Sequence, residues 1–212
     1  MDLLKRYKEY RKIMVQLHGN ILNDYVREDD IKRAAQLFGM VENNNIVLES
    51  PIEKDALMDF NVYERFNQGD SNLFAYINSR PDLTDDERII LKAMKTADTQ
   101  LYEVVEIDKQ KGILLLRNSI SPDNTITLVD NGMSGSLHAN TLLFTRLVHF
   151  DDFSMTSGLF FCFSKDHERY LIKRSRKLMK KINSGEESID RFIAFFTLNR
   201  KDGLPAIFEE VN

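Results

Sequence analysis

Near residue 98 the hydrophobic repeat of this 212-residue chain changes period. Before that point apolar residues recur every three or four positions, the spacing that gathers them on one stripe of a helix. After it they fall in short alternating or continuous runs, the spacing of strands. Helices first and strands next is the order of an α+β fold.

The helical half reads in some detail. Leu3, Tyr7, Tyr10, Met14, Leu17 and Ile21 form one stripe, with Gly19 and Asn20 weakening its end. Asp29 and Asp30 before Ile31, Ala34, Ala35 and Phe38 predict a short helix over 30–38, with Gly39 free to take the left-handed terminating conformation. The run NIVLE is β-like. Ser50-Pro51-Ile52-Glu53 supplies a cap, a first-turn proline and a glutamate three after the cap, which opens a helix over 51–66. Asp70 or Ser71 caps a helix ended before Pro81, and Thr84-Asp85-Asp86-Glu87 is a second capping box.

From 100 to 164 the runs LYEVVEI, GILLLRN, TITLVD, LLFTRLVHF and GLFFCF predict five strands. Lys111-Gly112, Ser121-Pro122-Asp123-Asn124 and Asp130-Asn131-Gly132 between them are turn chemistry. Closely spaced short strands suit a small antiparallel barrel of SH3-like or OB-like kind. Helices over 165–182 and 186–200 follow, the second opened by Ser184 with Glu187 and stopped by Gly203-Leu204-Pro205. The chain divides into a helical region 1–98, a β unit 99–164 and C-terminal helices 165–212, with no linker between them, so one integrated domain is expected.

Hydrophobic residues at 42%, charged residues at 29% and only four prolines describe a chain that folds throughout. The single cysteine, Cys162, lies in LFFCF and can form no internal disulfide. MDLLKRYKEY lacks the apolar core of a signal peptide, and no apolar stretch approaches the roughly 20 residues that span a bilayer. The expectation is a cytoplasmic protein.

Catalytic signatures are missing. One cysteine with histidines at 18, 138, 149 and 167 offers no zinc-type ligand pair, and His149-Phe150-Asp151-Asp152 is a weak oxygen and nitrogen set; no metal or cofactor is expected. Gly132-Met133-Ser134-Gly135-Ser136 departs from a nucleophile elbow, having Ser136 where glycine belongs and an expected hairpin where a strand should enter a helix. Phosphate-binding and dinucleotide-binding glycine loops are absent. A hydrolase would have to assemble Ser134, His138, His149, Asp151 and Asp152 in one pocket. Arg146 shares a strand face with Leu142, Phe144, Val148 and Phe150, which predicts an inward guanidinium paired with Asp130 or Glu103.

The functional signal is RYLIKRSRKLMKK. Of 29 basic and 33 acidic residues, eight and two fall between Lys165 and Lys181, leaving 21 and 31 elsewhere. At 100° per residue Leu171, Ile172, Ser175, Leu178, Met179 and Ile182 take one side of a helix, while Arg169, Lys173, Arg174, Arg176, Lys177, Lys180 and Lys181 fill the other. Three readings are open: a face solvated or covered by the acidic body, a binding face for nucleic acid or an acidic protein, or a helix lying on anionic lipid. The stripe from Leu3 to Ile21 offers a separate surface for a homo-oligomer, though packing on the body is the plainer use of it.

The segments DALMDFNVYERFNQGDSNLFAYI, LTDDERIILKAMKTADTQLYEVVEI, GILLLRNSI, LVDNGMSGSL and LLFTRLVHFDDFSMTSG resemble a little-characterised group of bacterial proteins. A related middle region accompanies the cysteine-rich SEC-C metal motif in larger proteins. The resemblance covers about half the chain and implies a bacterial, cytoplasmic, helical-plus-barrel protein. The SEC-C cysteines are absent here, so it implies no functional residues.

Overall fold

The computed structural model describes residues 2–66, 69–80, 82–122 and 124–205. Two expected turn residues, Pro81 and Asp123, lie outside them. The helical half comprises α1 (Leu3–Asp24), α2 (Glu28–Leu37), a hairpin of β1 (Val41–Glu42) and β2 (Asn45–Ile46), α3 (Pro51–Tyr63), α4 (Asn72–Ser79) and α5 (Asp85–Lys95). The second half holds β3 (Asp98–Asp108), β4 (Ile113–Asn118), β5 (Thr125–Val129), α6 (Asn131–Ser136), β6 (Thr141–His149), β7 (Ser154–Ser164), a 3-10 turn over Lys165–His167, α7 (Glu168–Ile182) and α8 (Glu187–Asp202). The fold is mixed α+β, with a helical N-terminal part, a five-stranded sheet and two C-terminal helices.

Local chemistry accounts for most boundaries. Thr84 accepts from the Glu87 amide at 3.3 Å while Glu87 accepts from the Thr84 amide at 2.8 Å, the reciprocal capping box that starts α5. At α3 the reach-back is different: Glu53 accepts from the Glu49 amide at 2.8 Å and from Arg200, so Ser50 marks the start without a side-chain cap bond. Ser184 likewise does not cap α8. Its amide donates to Asp190, and Glu186 occupies the cap position. Asn43 and Asn44 both adopt positive φ, the conformation a two-residue hairpin requires, and so join β1 to β2. α1 runs through Gly19 and Asn20 to Asp24 because Met14, Leu17 and Ile21 are buried and hold that turn. The stripe of α1 is thereby used up within the molecule, against Ile90, Leu91 and Met94 of α5 and Val62 and Tyr63 of α3.

The five long strands hydrogen-bond in the order β3-β4-β5-β7-β6, and β6 pairs back with β3. All pairs are antiparallel except β5 with β7, which meet in parallel at Leu128 and Ser154. One sheet face gathers Tyr102, Val104, Leu114, Leu116, Leu128, Leu143, Leu147 and Cys162 around Met133 of α6. The other lies under helices: Leu142, Phe144, Phe161 and Phe163 join Phe38, Phe60 and α8's Phe192, Phe195 and Phe196. Burial on both faces is why LLFTRLV and LFFCF read as continuous apolar runs rather than alternations.

One expected hairpin is a helix instead. Asp130 accepts from the Met133 amide at 2.9 Å and opens α6. Asp-Asn-Gly serves a turn or a helix cap equally well, and burial of Met133 decides between them here.

Candidate functional site

α7 is amphipathic for a simple reason. Leu171 and Ser175 are buried, and Ile172, Leu178 and Ile182 pack on the cluster that holds Phe192 and Phe196. α8 is the backing, and Asn183 in the left-handed conformation ends α7. The other side carries all seven predicted cations, Arg169, Lys173, Arg174, Arg176, Lys177, Lys180 and Lys181, and every one is exposed. Among the described residues none of the seven forms an ion pair. The basic residue that is tied down is the preceding Lys165, which meets Glu103 at 2.9 Å and Glu168 at 2.8 Å. Sequence reasoning passed over Tyr170. At 100° per residue it falls inside the cationic arc, it is 48% exposed, and its hydroxyl donates to Asp202. An exposed aromatic interleaved with cations was the available signal.

Arg146 is buried, 2% exposed, but not with the partners expected. Its Nε donates to Asp59 Oδ1 at 2.9 Å and its Nη2 to Glu64 Oε1 at 2.6 Å, both on or just after α3. The guanidinium lies over the Tyr63 ring, 4.4 Å from its centroid. Asp59 Oδ2 also accepts from the Ser157 hydroxyl at 2.5 Å, and Glu64 Oε2 from Ser188 at 2.7 Å. The strand-face argument placed Arg146 correctly with Leu142, Phe144 and Val148, yet that face turns toward the helices. The two proposed partners are otherwise engaged. Glu103 sits opposite Arg117 in the β3–β4 register and accepts from it at 2.6 Å. Asp130 is taken by the α6 amide and by Arg11 at 3.1 Å. Partial burial works against the Glu103 charge, but hydrogen bonds from Arg117 and Lys165 hold its carboxyl below the ordinary range.

His18 shares a 2.8 Å hydrogen bond with the Tyr63 hydroxyl at the edge of this network. Burial, then the charges of Arg11 and Arg146, lower its pKa to about 4, so the imidazole is neutral at physiological pH.

The groups required for a hydrolase do not converge. His149, Asp151 and Asp152 line one cavity with Arg6 and Tyr10, while Ser134 is buried in α6 with its hydroxyl donating to the Asn131 carbonyl at 3.0 Å. Neither Ser134 nor His138 lines that cavity. β5 does run into α6, contrary to the expected hairpin, but Ser136 still stands where an elbow needs glycine. Among the described residues no three His, Cys, Asp or Glu side chains are placed to hold a metal ion. Burial pushes the Cys162 thiol up to about 12, which leaves it unreactive. No helix among the described residues is long and apolar enough to cross a membrane.

No curated protein and no solved structure matches the chain. A family model does, over residues 1–209, and it shows no relationship to SEC-C proteins. By that match the chain belongs to the Family of unknown function (DUF7986).

Proposed function

We propose that this chain is a non-enzymatic binding module that presents the cationic side of α7 to a polyanion, with nucleic acid as the partner. The observation that carries the reading is the accounting of charge. The chain outside 165–181 has 31 acidic and 21 basic residues, yet no carboxylate among the described residues neutralises any of the seven cations. Seven cationic side chains along one exposed helix face can meet several phosphates, release their counterions and bind without sequence choice. Tyr170 supplies an aromatic surface within the same arc.

The wider reading treats the sheet as an SH3-like or OB-like barrel, the chain as one integrated domain, and the setting as the bacterial cytoplasm. The return pairing of β6 with β3 supports the first, hydrophobic clusters shared between helices and strands support the second, and a lone inert cysteine is consistent with the third. The test is an electrophoretic mobility shift with generic duplex DNA and RNA at about 50 and about 300 mM salt. Retardation at the lower salt that disappears at the higher supports the reading. No retardation at either removes nucleic acid as the partner and leaves an acidic protein, anionic lipid or a solvated face as the readings of α7.

A further inference from the structure

A second feature lies apart from α7. Between the pairs Thr145 with Phe160 and Leu147 with Thr156, β7 inserts Ser157, Gly158 and Leu159 opposite the single residue Arg146. Such a bulge re-aims side chains, and Gly158 accommodates it with a φ of +114°, where a side chain would be strained. The bulge is fixed by the Thr145 hydroxyl donating to the Leu159 carbonyl at 2.5 Å and by the Ser157 hydroxyl held on Asp59. It forms one wall of a cavity of about 260 Å³ between α1 and α3.

The lining of that cavity is chemically selective. Leu22, Met58, Val62 and Leu159 are apolar, Asp55 and Asp59 sit one helical turn apart on α3, and no lysine or arginine contributes. Behind Asp59 the buried set has two carboxylates, Asp59 and Glu64, to one guanidinium, Arg146, a formal excess of one negative charge. His18, also in the lining, adds no positive charge. Desolvation raises the Asp55 pKa against the opposing charge of Lys54, as fits a carboxylate whose water shell is incomplete.

We propose that this cavity is a binding site for a small organic cation, a primary amine carrying a short apolar body. An anion would meet two carboxylates, and a divalent metal lacks the ligand set. A neutral apolar molecule would leave Asp55, the lining carboxylate with no ion pair among the described residues, without a counterpart. An ammonium group brings one charge and three N–H donors, which can meet Asp55 and the remaining lone pair of Asp59 Oδ2, whose other lone pair accepts from Ser157. The volume lies just under the usual range for ligand pockets, so the body is small, roughly ten heavy atoms or fewer. The site stands independently of the α7 reading.

The test uses amide NMR on the full chain with benzylamine, benzyl alcohol and benzoate as size-matched probes of different charge. Benzylamine should shift resonances at residues 18–22, 55–62 and 157–159 and saturate. Asp59→Asn should weaken it by about tenfold or more, the scale for a desolvated charge pair. Since that change also removes a partner of Arg146, Asp55→Asn serves as the second variant. It should weaken benzylamine by a few-fold, on the order of an exposed ion pair, with the fold intact. Equal binding by benzyl alcohol or benzoate, shifts mapping elsewhere, or no saturable benzylamine shifts would each overturn the proposal.

Discussion

Arg146 and the seven cations of α7 carry the same charge in opposite surroundings. Arg146 is out of water and holds two carboxylates, an aromatic ring and a backbone carbonyl within reach. The α7 side chains are in water and hold no carboxylate of the described residues. A buried charge must be matched by its own fold, because desolvation makes an unmatched one very costly, whereas an exposed charge is hydrated and can wait for an external partner. The contrast separates positive charge that organises the molecule from positive charge left exposed on its surface.

The largest expected effect is on the buried side. Arg146→Met strands Asp59 and Glu64 without their counter-ion and should cost about 3–5 kcal/mol in urea unfolding. Adding Asp59→Asn and Glu64→Gln to that variant should recover part of the loss, since the penalty is one of mismatch. A loss under about 1 kcal/mol for the single change would erase the contrast.

Next comes acid sensitivity through His18. Its pKa is about 4 in the fold against 6.5 ordinarily, so between those values the unfolded chain binds a proton that the folded chain excludes. Stability is therefore full above about pH 6.5 and falls as pH drops toward 4, by up to ~3 kcal/mol from this group. Thermal unfolding from pH 7 to 4 should show a shallower decline in His18→Asn than in the wild type. Parallel declines would mean His18 is not held neutral beside Arg146.

Thr84→Ala sets a local scale. It removes one half of the α5 capping box and should cost about 1 kcal/mol. The smallest stability effect belongs to Lys173→Ala with Lys177→Ala, where the urea midpoint should stay in place because neither side chain has an ion-pair partner among the described residues. A clear drop would show that the face is already engaged within the molecule.

How far the sequence reached follows the range of the interactions involved. The stripe of α1, the Thr84 box and the cationic arc of α7 are written within a few residues, so periodicity and capping chemistry revealed them. The burial of Arg146 was also legible, from its apolar neighbours on β6. Its partners were not: Asp59 and Glu64 lie 87 and 82 positions away, on and after a helix whose facing side no local pattern specifies. The same limit hid the parallel pair Leu128 and Ser154 and the cavity beside Ser157, both of which exist only once strand and helix meet. α6 was missed for another reason, since Asp130-Asn131-Gly132 is equally good chemistry for a turn and for a cap.

The proposed function requires the α7 face to be open to a polyanion. Fluorescence anisotropy of a labelled duplex, titrated with the full chain across a salt series, tests it most directly. The predicted slope of log K against log salt lies between about −3 and −6, shallower by about 2 in Lys173→Ala with Lys177→Ala. A flat slope, or no binding at the lowest salt by a chain that remains folded, would contradict it.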